Sequence, residues 1–427
     1  MNCIELEITA HAPLAIGRQK PGGSISETES YIPGTMIRGA IASQILKVSG
    51  RQTANLSTNG GQFQALFLGE QPAIFQNAYP AIAKISESES RCVSELIYVL
   101  PATAVSSKAE PGFKTESKEK GGVFDTLIDR FCAEQCGHVY DPSCPKDASR
   151  IEPFAGFYSK AAREKYPYRT HSVSSRFLTR VGINRRRATA QDDILYSIEV
   201  LNESFLSNTR DRFPKWEYVS YRSQIWIDDD QLATALRNYL QKHCDSFRMG
   251  GSASRGLGKV HLAIKDGQTV ESVEKRIATF NSKLKERWNL WSVFRPSSDQ
   301  SLPQRTFFTL DLQSDAILTD NWQSTIVLSA PMLQDFANFQ DSTLRLETSY
   351  SSYDYRAGWN AAWGLMKDME LTTNRGSVFL FSTEQPEQWY EALQELEWRG
   401  IGDRTSEGFG QVQVCNEFHT VFRENAV

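Results

Sequence analysis

Ile4, Leu6 and Ile8 alternate with Glu5, Glu7 and Thr9, which is the period of a strand with one buried face. After a Gly/Ser-rich loop over 17–30, Ile37, Ile41, Ile45 and Val48 recur at four- and three-residue steps, predicting a helix with Thr35 as its N-cap. The pattern weakens between about 70 and 169, where polar runs such as SESESR interrupt short apolar pieces. It returns with the strand-like ILYSIEVL and SYRSQIWI, followed by a short helix over 230–242. Val270, Val273, Ile277, Phe280, Leu284 and Trp288 then mark a long amphipathic helix. Beyond Pro303 the strand pattern restarts in FFTLDL, TIVLSA and GSVFLF, and a helix runs over 385–397.

Each half closes on a glycine loop. The first is MGGSASRGLGKV at 249–260, and the second is GIGDRTSEGFGQV at 400–412. Glycine reaches positive φ and removes bulk, so consecutive N–H groups can form an anion-binding concavity, while Arg255 and Lys259 add charge. A plain glycine-rich hairpin is the alternative reading. Because strand, helix and glycine loop recur in the same order, the chain reads as a duplicated unit.

At 427 residues the chain is long enough for two or three domains. A hydrophobic content of 40% with 23% charged residues excludes general disorder. The net charge of −4 argues against a surface basic all over, so any contact with nucleic acid must be local. Such a place exists in 163–191, where Arg163, Lys165, Arg169, Arg176, Arg180, Arg185, Arg186 and Arg187 face only Glu164, a local charge of +7. Tyr166, Tyr168 and Phe177 are interleaved and could stack on bases. A solvated basic loop is the alternative. Gly34 and Arg38 at the start of the first helix add a further anion site, against the reading of an ordinary capped helix.

Seven cysteines, with no secretory pattern in MNCIELEITA and no run of about 18 apolar residues, give the expectation of a cytoplasmic protein with reduced thiols and no membrane span. Cys132, Cys136 and Cys144 lie close together in the weakly patterned segment, with His138 between them. Their spacing suggests a structural zinc that would staple an insertion lacking a core of its own. The fourth ligand is open, with Cys92 and His171 as distant candidates.

YIPGTMIRGA after a first strand, then VGINRRRATAQDDILYSIEVL, then MGGSASRGLGKV, together resemble the RAMP superfamily of CRISPR-associated proteins. The likeness is to the large two-module subunits of type III effector complexes, subtype D in particular, over 1–70 with 170–265 and 301–427. It implies an α+β chain of two ferredoxin-like, RRM-type modules. The first module would be split into 1–70 and 170–265 by an insertion over 71–169, where the likeness is loosest and lends the zinc suggested by the cysteine spacing no support. A connector helix over 266–300 would lead to the second module at 301–427. The resemblance also implies binding of CRISPR guide RNA, with target RNA across the guide, alongside other RAMP subunits and the large subunit of the complex. Carried over by position, Gly34, Thr35 and Arg38 would face RNA, as would Asn184, Arg185 and Arg186, and Arg176 of the basic stretch is read with them. Gly250, Gly251, Ser252, Arg255 and Gly256 would join them, with Arg404, Gly408 and Gly410 from the second loop.

Related cleaving subunits carry an aspartate in a loop of the first module, where 17–30 here offers only Glu27 and Glu29. No aromatic RNP1-like strand follows the first loop, which continues into KVHLAI. The expectation is a structural subunit without catalytic residues. The competing one is an endoribonuclease that cleaves target RNA, or one that processes guide RNA with His11 or His171 as general acid or base.

Overall fold

The computed structural model describes the chain apart from residues 19–26, 49–61, 87, 117, 120, 147, 163, 185, 188, 210–212, 266, 268–269, 295–301 and 361–363. In chain order, the elements that position the site begin with β1 (Asn2–Ala10), α1 (Gly34–Val48), β2 (Ile74–Phe75) and α2 (Leu127–Gln135). A long hairpin of β3 (Ser175–Asn184) and β4 (Thr189–Leu201) comes next, then β5 (Ser220–Ile227), α3 (Asp230–Lys242), β6 (Val260–Lys265) and α4 (Val273–Trp291). The second half contains β7 (Thr306–Leu312), α5 (Ala330–Ala337), β8 (Arg345–Tyr350) and a second hairpin of β9 (Tyr353–Asn360) and β10 (Leu365–Thr373). It ends with β11 (Val378–Thr383), α6 (Pro386–Arg399) and β12 (Val412–Val414).

The first antiparallel sheet runs β6-β1-β5-β2 and the second runs β12-β7-β11-β8. These orders match when the strands are taken by their place in each half. The duplication expected from the glycine loops therefore extends to the sheets, and each half inserts a long hairpin before its third sheet strand. In β1 the alternation holds: Ile4, Leu6, Ile8 and Ala10 are buried, and they pack with Ile37 and Ile41 of α1 and Leu236 and Leu240 of α3.

Helix α4 begins at Val273, with Ser272 as N-cap accepting from Lys275 N, so Val270 lies outside the helix and is exposed. Val273, Ile277, Phe280, Leu284 and Trp288 are buried in the second core. Burying five such side chains is worth at most about 7–15 kcal/mol before ordering costs. The helix is further fixed by Arg276, whose guanidinium donates to both carboxylate oxygens of Glu397 at 2.8 and 2.7 Å.

The segment over 71–169 builds a separate core together with residues remote in sequence. Val105, Phe113, Val123, Phe124, Tyr158 and Tyr168 pack with Phe418, Val421 and Ala426 from the end of the chain. Val123 and Val427 exchange backbone hydrogen bonds at 2.7 and 2.9 Å. The motive for a metal staple, a segment without a core, is met instead by residues remote in sequence. Cys132, on α2, is packed in the second core with Phe131, Trp288 and Phe307.

Candidate nucleic-acid interface

The two glycine loops share a backbone plan. In the first, Met249 N donates to Gly258 O at 2.8 Å, Gly251 N to Ala15 O at 2.8 Å and Gly258 N to Pro13 O at 2.9 Å, which pins the loop to the segment leaving β1. In the second, Ile401 N donates to Gly410 O at 2.8 Å, Asp403 N to Ile317 O at 3.0 Å and Gly410 N to Asp315 O at 2.9 Å, the same bonds onto the segment leaving β7. Ser252 (φ +56°) and Arg404 (φ +58°) occupy equivalent left-handed positions, each opening one turn of 3-10 helix. Gly250 has φ +89°, and a Cβ there would lie 2.6 Å from Ala15 O. Only glycine fits so close an approach.

The side chains then diverge. The 3-10 turn of the first loop ends in Arg255, exposed like its neighbour Gly256. The second turn ends in Glu407, and Gly408 is buried. Burial acts to raise the Glu407 carboxyl, but Lys367 and Arg404 outweigh it and hold it below the usual carboxylate range. The two cations sit 2.9 and 2.5 Å from it. Arg404 also lies over the Phe409 ring, 4.9 Å from its centroid. The charge of the second loop is thus compensated internally, and the turn packs on the first half. A Cβ on Gly34 would lie 1.9 Å from Phe75 O and 3.0 Å from Gly408 Cα, while Gly34 N donates to Asn77 Oδ1 at 2.8 Å. The YIPG stretch therefore meets the second glycine loop. Arg38 turns to Phe67, donating to its carbonyl at 2.6 Å.

The first loop docks on the basic hairpin. In β3 and β4 the Arg176–Val200, Leu178–Ile198 and Arg180–Tyr196 pairs share one face. Leu178, Ile198 and Val200 pack on Ala15 and Leu257, beneath the loop. At the end of this face Arg255 donates to Tyr196 Oη at 2.6 Å and stacks on its ring at 5.3 Å, and Arg180 donates to Arg255 O at 3.3 Å. Arg186 and Arg187 are exposed at the hairpin tip. On the opposite face Phe177 and Leu195 are 59% and 72% exposed. Arg185 lies outside the described residues, and Asn184 is placed by its backbone pairing with Thr189.

Part of the +7 stretch is neutralised in the fold. Arg169 is buried and pairs with Glu164, Lys165 lies 3.8 Å from Glu119, and Arg176 is 2.9 Å from Glu203. The sequence stretch is contiguous, yet among the described residues it is the hairpin end that meets the glycine loop. Tyr168 is buried, whereas Phe177 is exposed.

Residues 7–261 match the RAMP superfamily. The chain belongs to that superfamily. Among curated proteins, no sequence matches this RAMP chain. Solved structures similar to it include the Type III-B Cmr-beta bound to cognate target RNA and AMPPnP in state 1, at 12% identity and TM-score 0.38, covering 88% of this chain and 86% of that one. The same assembly bound to cognate target RNA alone gives 12% identity and TM-score 0.37 with equal coverage. Its apo state gives 11% and 0.28, over 61% of this chain and 96% of that one. The family match ends at His261, so the second half of this RAMP chain lies beyond it.

The acids considered for metal-assisted cleavage are placed apart. Glu29 is buried and its carboxylate accepts from Arg356 of the second hairpin, which also pairs with Asp315. Glu27 is exposed on a two-residue strand. His171, proposed as a general acid or base, is buried beside Ser159, and burial with the Arg169 charge pushes it down to about 3. The residue is only 4% exposed. His11 is exposed, its ring 4.8 Å from that of Tyr218. Cys132, Cys136 and Cys144 are buried. Among the described residues, the group of possible metal donors lying within 4.8 Å of one another is Cys244, Asp245 and His261, a set that sequence spacing did not single out.

Proposed function

We propose that this RAMP chain is a guide-RNA-binding, non-cleaving subunit of a type III CRISPR ribonucleoprotein, built from two ferredoxin-like modules. The matching strand orders, with helix following both the first and the third strand of each sheet, support the module assignment. The observation that carries the RNA reading is the union of the first glycine loop with the arginine hairpin. Two segments separated in sequence converge: half-buried Arg180 of β3 meets the exposed Arg255 of the first glycine loop, beside the exposed Gly251 and Gly256, and Arg186 is exposed at the tip of the same hairpin. Such cations contribute affinity through phosphate contacts and counterion release, without base identity. The motif resemblance to the large subunits of type III complexes supplies the assembly. The absence of cleavage rests on Glu29, whose carboxylate is occupied by an arginine rather than open to Mg²⁺.

The test is salt-dependent binding of single-stranded RNA. Each phosphate contact contributes about −0.7 to the slope of log K against log salt. The variant Arg180→Ala, Arg186→Ala, Arg255→Ala should therefore flatten the slope by about 2 if each meets a phosphate. An unchanged slope removes this surface from the interface. Copurification of the tagged wild-type chain with RNA of uniform length and further RAMP subunits would support the assembly, and isolation of the chain alone would count against it.

A further inference from the structure

We propose that Cys244, Asp245 and His261 form a binding site for a late first-row divalent cation of the zinc class. Cys244 and Asp245 occupy the turn that follows α3, and His261 stands on β6, the neighbouring edge strand of the first sheet. Two backbone bonds hold the turn in place: His243 N donates to Tyr239 O at 3.1 Å, and Leu262 N donates to Cys244 O at 3.0 Å. On β6 the buried Val260 and Leu262 flank His261, so the imidazole points away from the core by the alternation of the strand.

The donors already converge. His261 Nδ1 is 2.8 Å from Asp245 Oδ1, and Cys244 Sγ is 3.5 Å from Asp245 Oδ2. The three possible ligand atoms lie within 4.8 Å of one another, where tetrahedral coordination at ordinary zinc distances asks for separations of roughly 3.3–3.8 Å. Small side-chain rotations close that difference. A thiolate, an imidazole and a carboxylate together suit zinc, and the sulfur disfavours magnesium and calcium. One thiolate and one carboxylate also balance the charge of a divalent ion. Three protein donors leave a fourth position for water. The His11 ring stacks alongside that of His261 at 6.1 Å and 11°, and its backbone N donates to Lys259 O at 2.9 Å.

A solvent-facing Asp–His pair beside a thiol is the competing explanation, and cobalt spectroscopy separates the two. The full chain, stripped of metal and titrated with Co²⁺, should develop visible bands and a thiolate-to-cobalt transition at one equivalent, and Zn²⁺ should bleach them. Cys244→Ser should abolish the thiolate transition. His261→Gln should weaken Co²⁺ binding at least about tenfold, since loss of an outer-shell group alone costs about 10–100-fold. Both positions are off the core, and circular dichroism should confirm that each variant folds. The proposal is overturned if no band develops. It is equally overturned if the bands persist in both variants, or if they vanish only in Cys136→Ser with Cys144→Ser, which would place the ion in the inserted segment. The RNA salt slope is a separate readout and stays informative whichever way the metal result falls.

Discussion

His419 shows how one residue can carry a junction. It is fully buried, with Nε2 at 2.7 Å from Asp311 of β7 and Nδ1 at 3.3 Å from Asp125 of the inserted segment. Burial acts to lower the imidazole, but Asp311 and Asp125 outweigh it and raise it to about 10. The folded value exceeds the ordinary one, so the native state holds a proton that the unfolded chain releases. Its stabilisation is complete below pH ~6.5, declines from there upward and is gone once the pH passes about 10. Thermal unfolding from pH 6 to 10 should show this decline, and His419→Gln should flatten it. Arg356 is a parallel case, since it bridges Glu29 of the first half and Asp315 of the second. Arg356→Met should lower stability by up to about 3–5 kcal/mol in urea unfolding, because two buried carboxylates each lose one cationic partner, Asp315 keeping Arg375. Adding Glu29→Gln and Asp315→Asn to that variant should return part of the loss, and no recovery would show that the network contributes little.

At the scale of elements, the paired glycine loops give the sharpest expectation. Gly34→Ala should destabilise the fold by about 1–3 kcal/mol or more, because its Cβ has the fixed backbone of Phe75 and Gly408 in the way. Gly39→Ala, with nothing within 4 Å, should be close to neutral and serves as the comparison. Thermal melts of the two variants decide it. Much of this architecture was legible in the sequence. The alternation in β1, the helical period of α4 and the repeated glycine loops are local signals, and each marks an observed element. TIVLSA was read as a strand, yet the strand there covers only Gln323–Thr325 and the following residues lead into α5. Ser329 as N-cap and Pro331 in the first turn were the available signals, but the helix spans too few residues for a periodic pattern to stand out. The site was legible as residue types rather than as a surface. Arg169 and Arg255 look alike in sequence, and only long-range packing separates a buried ion-paired arginine from an exposed one.

Across the whole molecule, the halves are copies in backbone and opposites in exposure: one glycine loop opens to solvent with Arg255, and the other closes against α1 with Glu407. Target-RNA products made in Mg²⁺ by the assembled complex should be unchanged, band for band, when Glu27→Gln and Glu29→Gln are combined. Loss of one band while guide RNA stays bound would show a catalytic role. The joint between Gly34 and Gly408 also bears on the order in which the chain is made. The first sheet is complete in sequence at Lys265, yet the glycine face of α1 and the core of the inserted segment wait for residues 400–427 to leave the ribosome. A nascent chain stalled before Gly400 should therefore protect β1 and β6 from proteolysis while leaving the inserted segment open to cleavage. Synthesis of residues 400–427 should be the step at which the start of α1 and the inserted segment become resistant together.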